Sequence, residues 1–196
     1  MDEQPTSLWR IVLAGLFSTS VLGAVVKGAF DFLTRRAKNK AAQAIETATQ
    51  VYAVLNDAEY RAKASRIVLT AAHNCGGPIR PDVVLSSTAL YEVVSGVEPR
   101  LERLANVRLD QWHVSLLARI VKEDFVWIKT SDIPVGNLIR TILTIDGIQE
   151  TCFFLIRTDG TRILYGAVDF VTTPASNPQA DEALRTLQSS LAALLK

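Results

Sequence analysis

The sequence predicts an α+β fold: a mostly antiparallel sheet of five or six strands, flanked by N- and C-terminal helices and preceded by a single transmembrane helix. Three observations predict it. An apolar run from Ser7 to Leu33 is followed at once by Arg35, Arg36, Lys38 and Lys40. Strand-like runs follow one another without regular intervening helices, which favours antiparallel pairing over a parallel α/β sheet. Asp159 and Gly160 stand between two apolar runs, a strong hairpin signal because glycine takes positive φ without steric cost.

The chain of 196 residues suits an anchor, residues 1–40, followed by one domain, residues 41–196. With 48% hydrophobic and 21% charged residues it has the composition of a folded protein. A formal charge of +1 excludes a surface basic throughout, and no concentrated patch with interleaved aromatics points to nucleic acid. Cys75 and Cys152 are the two cysteines, far apart and without CxxC spacing, so no disulfide framework is indicated.

In the N-terminal run, 16 uncharged residues lie between Arg10 and Lys27, short of the ~20 that cross a bilayer. The span lengthens if Lys27 snorkels to the headgroups and pairs with Asp31 one turn later. Counted from Ile11 to Leu33 it is long enough. The residues before it are acidic and no Ala-x-Ala site follows, unlike a signal peptide. The basic residues after it place the N-terminus outside and the domain in the cytoplasm. Arg35, Arg36, Lys38 and Lys40 would then meet anionic headgroups, each contributing ~1 kcal/mol. A buried or interfacial amphipathic helix is the alternative, favoured by the polar step Ser18, Thr19, Ser20. Gly15, Thr19 and Gly23, with Ala24 and Gly28 beside them, make a small-residue face suited to pairing with a second copy.

Residues 37–63 contain no Gly or Pro, and Ile45, Ala48, Tyr52, Leu55, Ala58 and Ala62 form one helical stripe. Residues 65–73 read as a buried strand ending at Asn74, Cys75, Gly76, Gly77 and Pro78, and 87–94 as a second. Residues 99–123 read as helical, with Asp110 capping a second helix within them. A strand over 125–130 and a short helix over 134–144, opened by Pro134, come next. The hairpin pairs 149–157 with 161–170, a linker covers 172–178, and 179–196 is a closing helix with Leu184, Leu187, Leu191, Leu194 and Leu195 on one face.

This order of elements resembles a GAF-type sensor domain, with the related PAS fold the nearest competitor. The resemblance covers most of the chain after residue 40 and is carried by element order and hydrophobic pattern, not by signature residues. It implies a central antiparallel sheet with the N- and C-terminal helices on one face and short helices and loops over the other. The stretch Ile128 to Asn137 lacks the Asn-Lys, Phe and Asp-Glu pattern of members that bind cyclic nucleotides, and neither cysteine suggests a bilin attachment point. No ligand class is carried over, and no cofactor is expected.

Chemistry is sparse. His73, Cys75, His113 and Cys152 show no metal-ligand spacing beyond the two-residue step from His73 to Cys75. A Cys75–His113 nucleophilic pair would need a third orienting group. The loop after His73 lacks the Lys-Ser/Thr of a P-loop. As a loop beside a ligand or partner site, His73, Asn74, Cys75, Gly76 and Gly77 are the candidates. Trp112, Trp127, Tyr91 and Tyr165 read as core. The expected function is therefore non-enzymatic: a single-pass membrane protein whose GAF-like domain docks an unidentified protein or senses a small molecule, as a dimer. The alternative is a holin-like oligomer driven by the glycine-lined helix.

Overall fold

The computed structural model describes the backbone of residues 7–74, 79, 84–97, 99, 106–172 and 178–195, and side chains within these ranges from residue 26 onward, residue 178 excepted. Two compact units result, residues 1–47 and 48–196. The first is the leading part of helix α1, Ser7–Ala62. Among the described residues no helix is long and apolar enough to cross a membrane. Most of the apolar run lies before residue 26, ahead of the described side chains. Gly15, Thr19 and Gly23 lie on its helical backbone there, with side-chain surroundings outside the described residues. Arg35, Arg36, Lys38 and Lys40 are all exposed.

Within the second unit, α1 ends in a Schellman motif. Lys63 takes a left-handed φ of +54°, and the Ala64 N–H donates to the Glu59 carbonyl at 3.1 Å. The strands β1 (Arg66–His73), β2 (Ser86–Val94), β3 (Val107–Arg108), β4 (Phe125–Lys129), β5 (Glu150–Thr158) and β6 (Arg162–Phe170) form one sheet. Its order is β3-β2-β1-β6-β5-β4, and every pairing is antiparallel. Among the described residues the α-helices α2 (Gln111–Ile120), α3 (Leu138–Ile145) and α4 (Pro178–Leu194) follow, with a short 3-10 turn at Thr130–Asp132.

Both faces of the sheet are covered, so its inner strands read as near-continuous apolar runs. Ile67, Leu69 and Ala71 of β1, Cys152, Phe154 and Ile156 of β5, and Leu164, Val168 and Phe170 of β6 join one cluster. It is closed by Val51, Leu55, Ala58 and Ala62 of α1 and by Ala180, Ala183, Leu184, Leu187 and Leu191 of α4. Side chains alternate across a strand, so the intervening residues build the second cluster: Phe153, Tyr165, Val126 and Ile128 against α2 (Leu116, Leu117, Ile120) and Leu143 of α3. Burial pushes the Cys152 thiol well up, with Asp181 and Glu150 adding to it, so the sulfur behaves as a core group. Gly166 permits the tightest approach. A Cβ there would come within 2.3 Å of the Phe154 ring, which is fully buried opposite it.

Two expectations are corrected. Val107 and Arg108 are not helical: they pair with Ser87 and Ser86 as a two-residue edge strand, and the helix starts only at Gln111. Asn106, at φ +53°, supports that strand by donating its N–H to the Thr88 hydroxyl at 3.2 Å. Asp110 does cap α2, accepting the His113 N–H at 2.8 Å. The stripe of α1 is also rotated. Val51 is fully buried, whereas Ile45 is exposed and Tyr52 half-exposed, its ring edge-on to Tyr91 at 5.4 Å.

Candidate functional site

Between the second face of the sheet and α3 lies a small, partly open cavity of about 50 Å3. Val68, Thr70, Phe153, Tyr165 and Ala167 form its floor, Ile139, Ile142 and Leu143 its roof, and Arg66 and Asp169 one end. A water's share of liquid is about 30 Å3, so the space suits one or two waters as it stands. At the Tyr165 hydroxyl, burial pushes the pKa up to about 12 while Thr70 and Ser87 pull the other way by hydrogen bonding.

The charged end is the most constrained polar feature of the domain. Arg66 opens β1 and stands directly across from Asp169 near the end of β6. Its Nε and Nη2 each donate to Asp169 Oδ2 at 2.6 Å, while Nη1 donates to Asp146 Oδ2 at 2.7 Å. Thr151 of β5 donates its hydroxyl to Asp169 Oδ1 at 2.7 Å. All three ionic side chains are nearly sealed from solvent. Burial pushes the Asp169 carboxyl up, with Arg66 and Thr151 pulling the other way. Burial works against the charged Arg66 too, but Asp169 and Asp146 hold it above its ordinary value. Charges taken out of water persist only with such complete pairing.

The roof is held by polar ties at both ends. At the N-terminus of α3, Asn137 Oδ1 accepts the Ile139 N–H at 2.8 Å and the Arg140 N–H at 3.4 Å. Asn137 Nδ2 donates to Asp110 Oδ2 at 2.6 Å, linking the caps of α3 and α2. Asp110 Oδ1 also lies 3.1 Å from His113 Nδ1. Burial pushes the His113 imidazole below its ordinary value, with Asp110 pulling the other way. At the C-terminus, Asp146 is the capping residue and Gly147, at φ +69°, makes the left-handed turn. Ile148 N–H donates to Leu143 and Gly147 N–H to Thr144, a second Schellman motif. Yet only Leu143 of α3 is fully buried, and Ile145 is 69% exposed.

Of the loop residues singled out as ligand or partner candidates, the structure describes His73 and Asn74; Cys75, Gly76 and Gly77 lie outside the described residues. His73 ends β1, its Nε2 3.0 Å from the Thr88 hydroxyl. That hydroxyl in turn donates to Asn106 Oδ1 at 3.2 Å. His73 thus ties β1 to β2. From sequence, Arg61, Lys63 and Arg66 read as an extension of the headgroup-facing basic set or a solvated face; Arg66 is instead buried, paired with the Asp169 that stands between Val168 and Phe170. Larger hollows are open to solvent, notably one of about 740 Å3 lined by Glu59, Tyr60, Lys63, Ser95 and Glu182, whose charges are mixed. Among the described residues no three potential metal ligands converge.

No family model matches the sequence, and no curated protein matches it. Solved structures do. The photoproduct state of GAF3 from Slr1393 of Synechocystis sp. PCC6803 superposes with a TM-score of 0.54 at 11% identity, over 76% of this chain and 92% of that one. The blue-light absorbing form of the Thermosynechococcus elongatus PixJ GAF domain gives 0.53 at 7% identity, over 78% and 87%. The chain carries a GAF fold. The chromophore-binding domain of the bacteriophytochrome RpBphP3 from R. palustris is also similar, at 0.51 and 10% identity, over 76% of this chain and 55% of that one. At such identities the likeness concerns the fold of the GAF domain alone.

Proposed function

We propose that this chain is a non-enzymatic sensor: a GAF domain that takes up a small molecule between its sheet and α3 and acts through contact with a protein partner. One observation carries this reading. The roof over the cavity is an apolar helix with a single fully buried side chain, held by exchangeable polar bonds at both ends. Elements that move on binding are drawn from such weakly packed segments. The cavity is far below the ~300–1,000 Å3 of ordinary ligand sites, so uptake requires α3 to lift.

The sensor is carried at a membrane surface by the run from Ile11 to Leu33, with the exposed Arg35, Arg36, Lys38 and Lys40 against anionic headgroups and a second copy as a further partner. This part rests on the sequence. The holin-like alternative depends on Gly15, Thr19 and Gly23 alone and is not carried forward.

Two measurements test the reading. Hydrogen exchange by the full chain should open α3 amides far faster than those of α4; equal protection would remove the movable roof. On fractionation, the full chain should sediment with membranes while a fragment from residue 41 stays in the supernatant. Full-length protein recovered without detergent would reject the tether.

A further inference from the structure

We propose that the molecule taken up beneath α3 is a small apolar carboxylate, which replaces Asp146 on Arg66. This rests on the reading of α3 as a movable roof and adds the chemical class of the ligand. The guanidinium of Arg66 has two kinds of partner. Asp169 faces it from the neighbouring strand, takes Nε and Nη2 together, and is itself held by Thr151 on the next strand. That pair belongs to the sheet. Nη1 instead reaches Asp146, which belongs to the roof, at the C-terminal cap of an eight-residue helix.

Asp146 is a poor resident there. A carboxylate at a helix C-terminus faces the negative end of the helix dipole, and on Arg66 it shares one guanidinium with Asp169. Lifting α3 releases Asp146 to water and frees the Nη1 donors on the side of the cavity that Arg66 lines. A ligand carboxylate restores the charge-assisted bond and leaves the net charge of the buried group unchanged. An amine would meet the guanidinium as a like charge, and a primary amide offers Nη1 only an uncharged acceptor. The rest of the lining is hydrocarbon from Val68, Ala167, Phe153, Ile142 and Leu143, with Thr70 and the Tyr165 hydroxyl as its polar points. The ligand body is therefore apolar and short.

The test uses the full chain, in detergent where needed, titrated calorimetrically with isovalerate, isovaleramide and isopentylamine. Isovalerate should bind at least tenfold tighter than either analogue. Removal of Arg66 risks misfolding, so the decisive variant is Asp146→Asn, which weakens the competitor and keeps a cap. It should bind isovalerate about tenfold tighter than wild type. Unchanged or weaker binding by Asp146→Asn overturns the exchange at Arg66. Amide binding as tight as carboxylate binding, or preference for the amine, overturns the ligand class but leaves the roofed site standing. If none of the three binds either protein, the class falls. If α3 then also exchanges no faster than α4, the site falls with it.

Discussion

On one face of the sheet, α1 and α4 bring Val51, Leu55, Leu184, Leu187 and Leu191 against Ile67, Phe154 and Phe170, an apolar cluster with Arg185 over the Phe125 ring at its edge. On the other, α2 and α3 meet Phe153 and Tyr165 beside a buried Arg66, two buried acids and a cavity. The first face is held by burial, which is non-directional and lost only in proportion to area exposed. The second relies on a few directional bonds, each of which a suitable competitor can replace. A domain can thus keep one side closed while the other opens.

The largest expected effect breaks the polar face. Arg66→Met leaves Asp169 and Asp146 buried without the guanidinium they share and should cost about 3–5 kcal/mol in urea unfolding. Replacing Arg66 and Asp169 together by Met and Leu should recover only the part due to Asp169, since Asp146 keeps its charge and still loses Arg66. On the apolar face Leu187→Ala should cost about 3 kcal/mol, as for a buried leucine. Ile142→Ala in the half-exposed roof should cost less than half as much. Equal losses would mean that the two faces are packed alike.

Asn137→Ala removes the α3 cap and its tie to Asp110. The expected cost is about 1 kcal/mol, with faster exchange confined to α3 and none in α4. Titration sharpens the contrast further. Folded His113 has a pKa below its ordinary 6.5, so the unfolded chain binds this proton first. Stability from this group is complete above pH 6.5 and declines as the pH falls through that value towards the folded pKa. Melting temperatures between pH 7.5 and 5 should show the decline, and His113→Gln should flatten it. Asp110, held below its ordinary 3.8 by His113 against the push of burial, loses its contribution only as the pH falls below that value. The smallest effect is a gain: Lys63→Gly relieves a left-handed residue at the end of α1 and should stabilise by about 0.5–1 kcal/mol in the same urea assay.

Local chemistry was legible in the sequence and long-range pairing was not. Asp159 and Gly160 announce the hairpin because one residue pair determines the turn; the structure places Gly160 at φ +79° with the Asp159 carboxylate accepting the Thr161 and Arg162 N–H groups. Asp110 is read as a cap because its partner lies three residues on. β3 escaped because two residues leave no periodicity, and its pairing depends on Ser86 and Ser87, some twenty positions earlier. Arg66 and Asp169 are 103 residues apart, and nothing local in either strand names the other. The loop after His73 drew notice through its glycines, while the cavity is lined by residues that read individually as ordinary strand and helix positions.

The contact between Phe154 and Gly166 has a consequence for descent. The ring occupies the volume that any side chain at 166 would need, so a change at one position constrains the other. A lineage that gains a side chain at 166 must first shrink residue 154. Among relatives of this chain, large at 154 with glycine at 166 should alternate with small at 154 and a larger residue at 166, while the combination large with large should be missing.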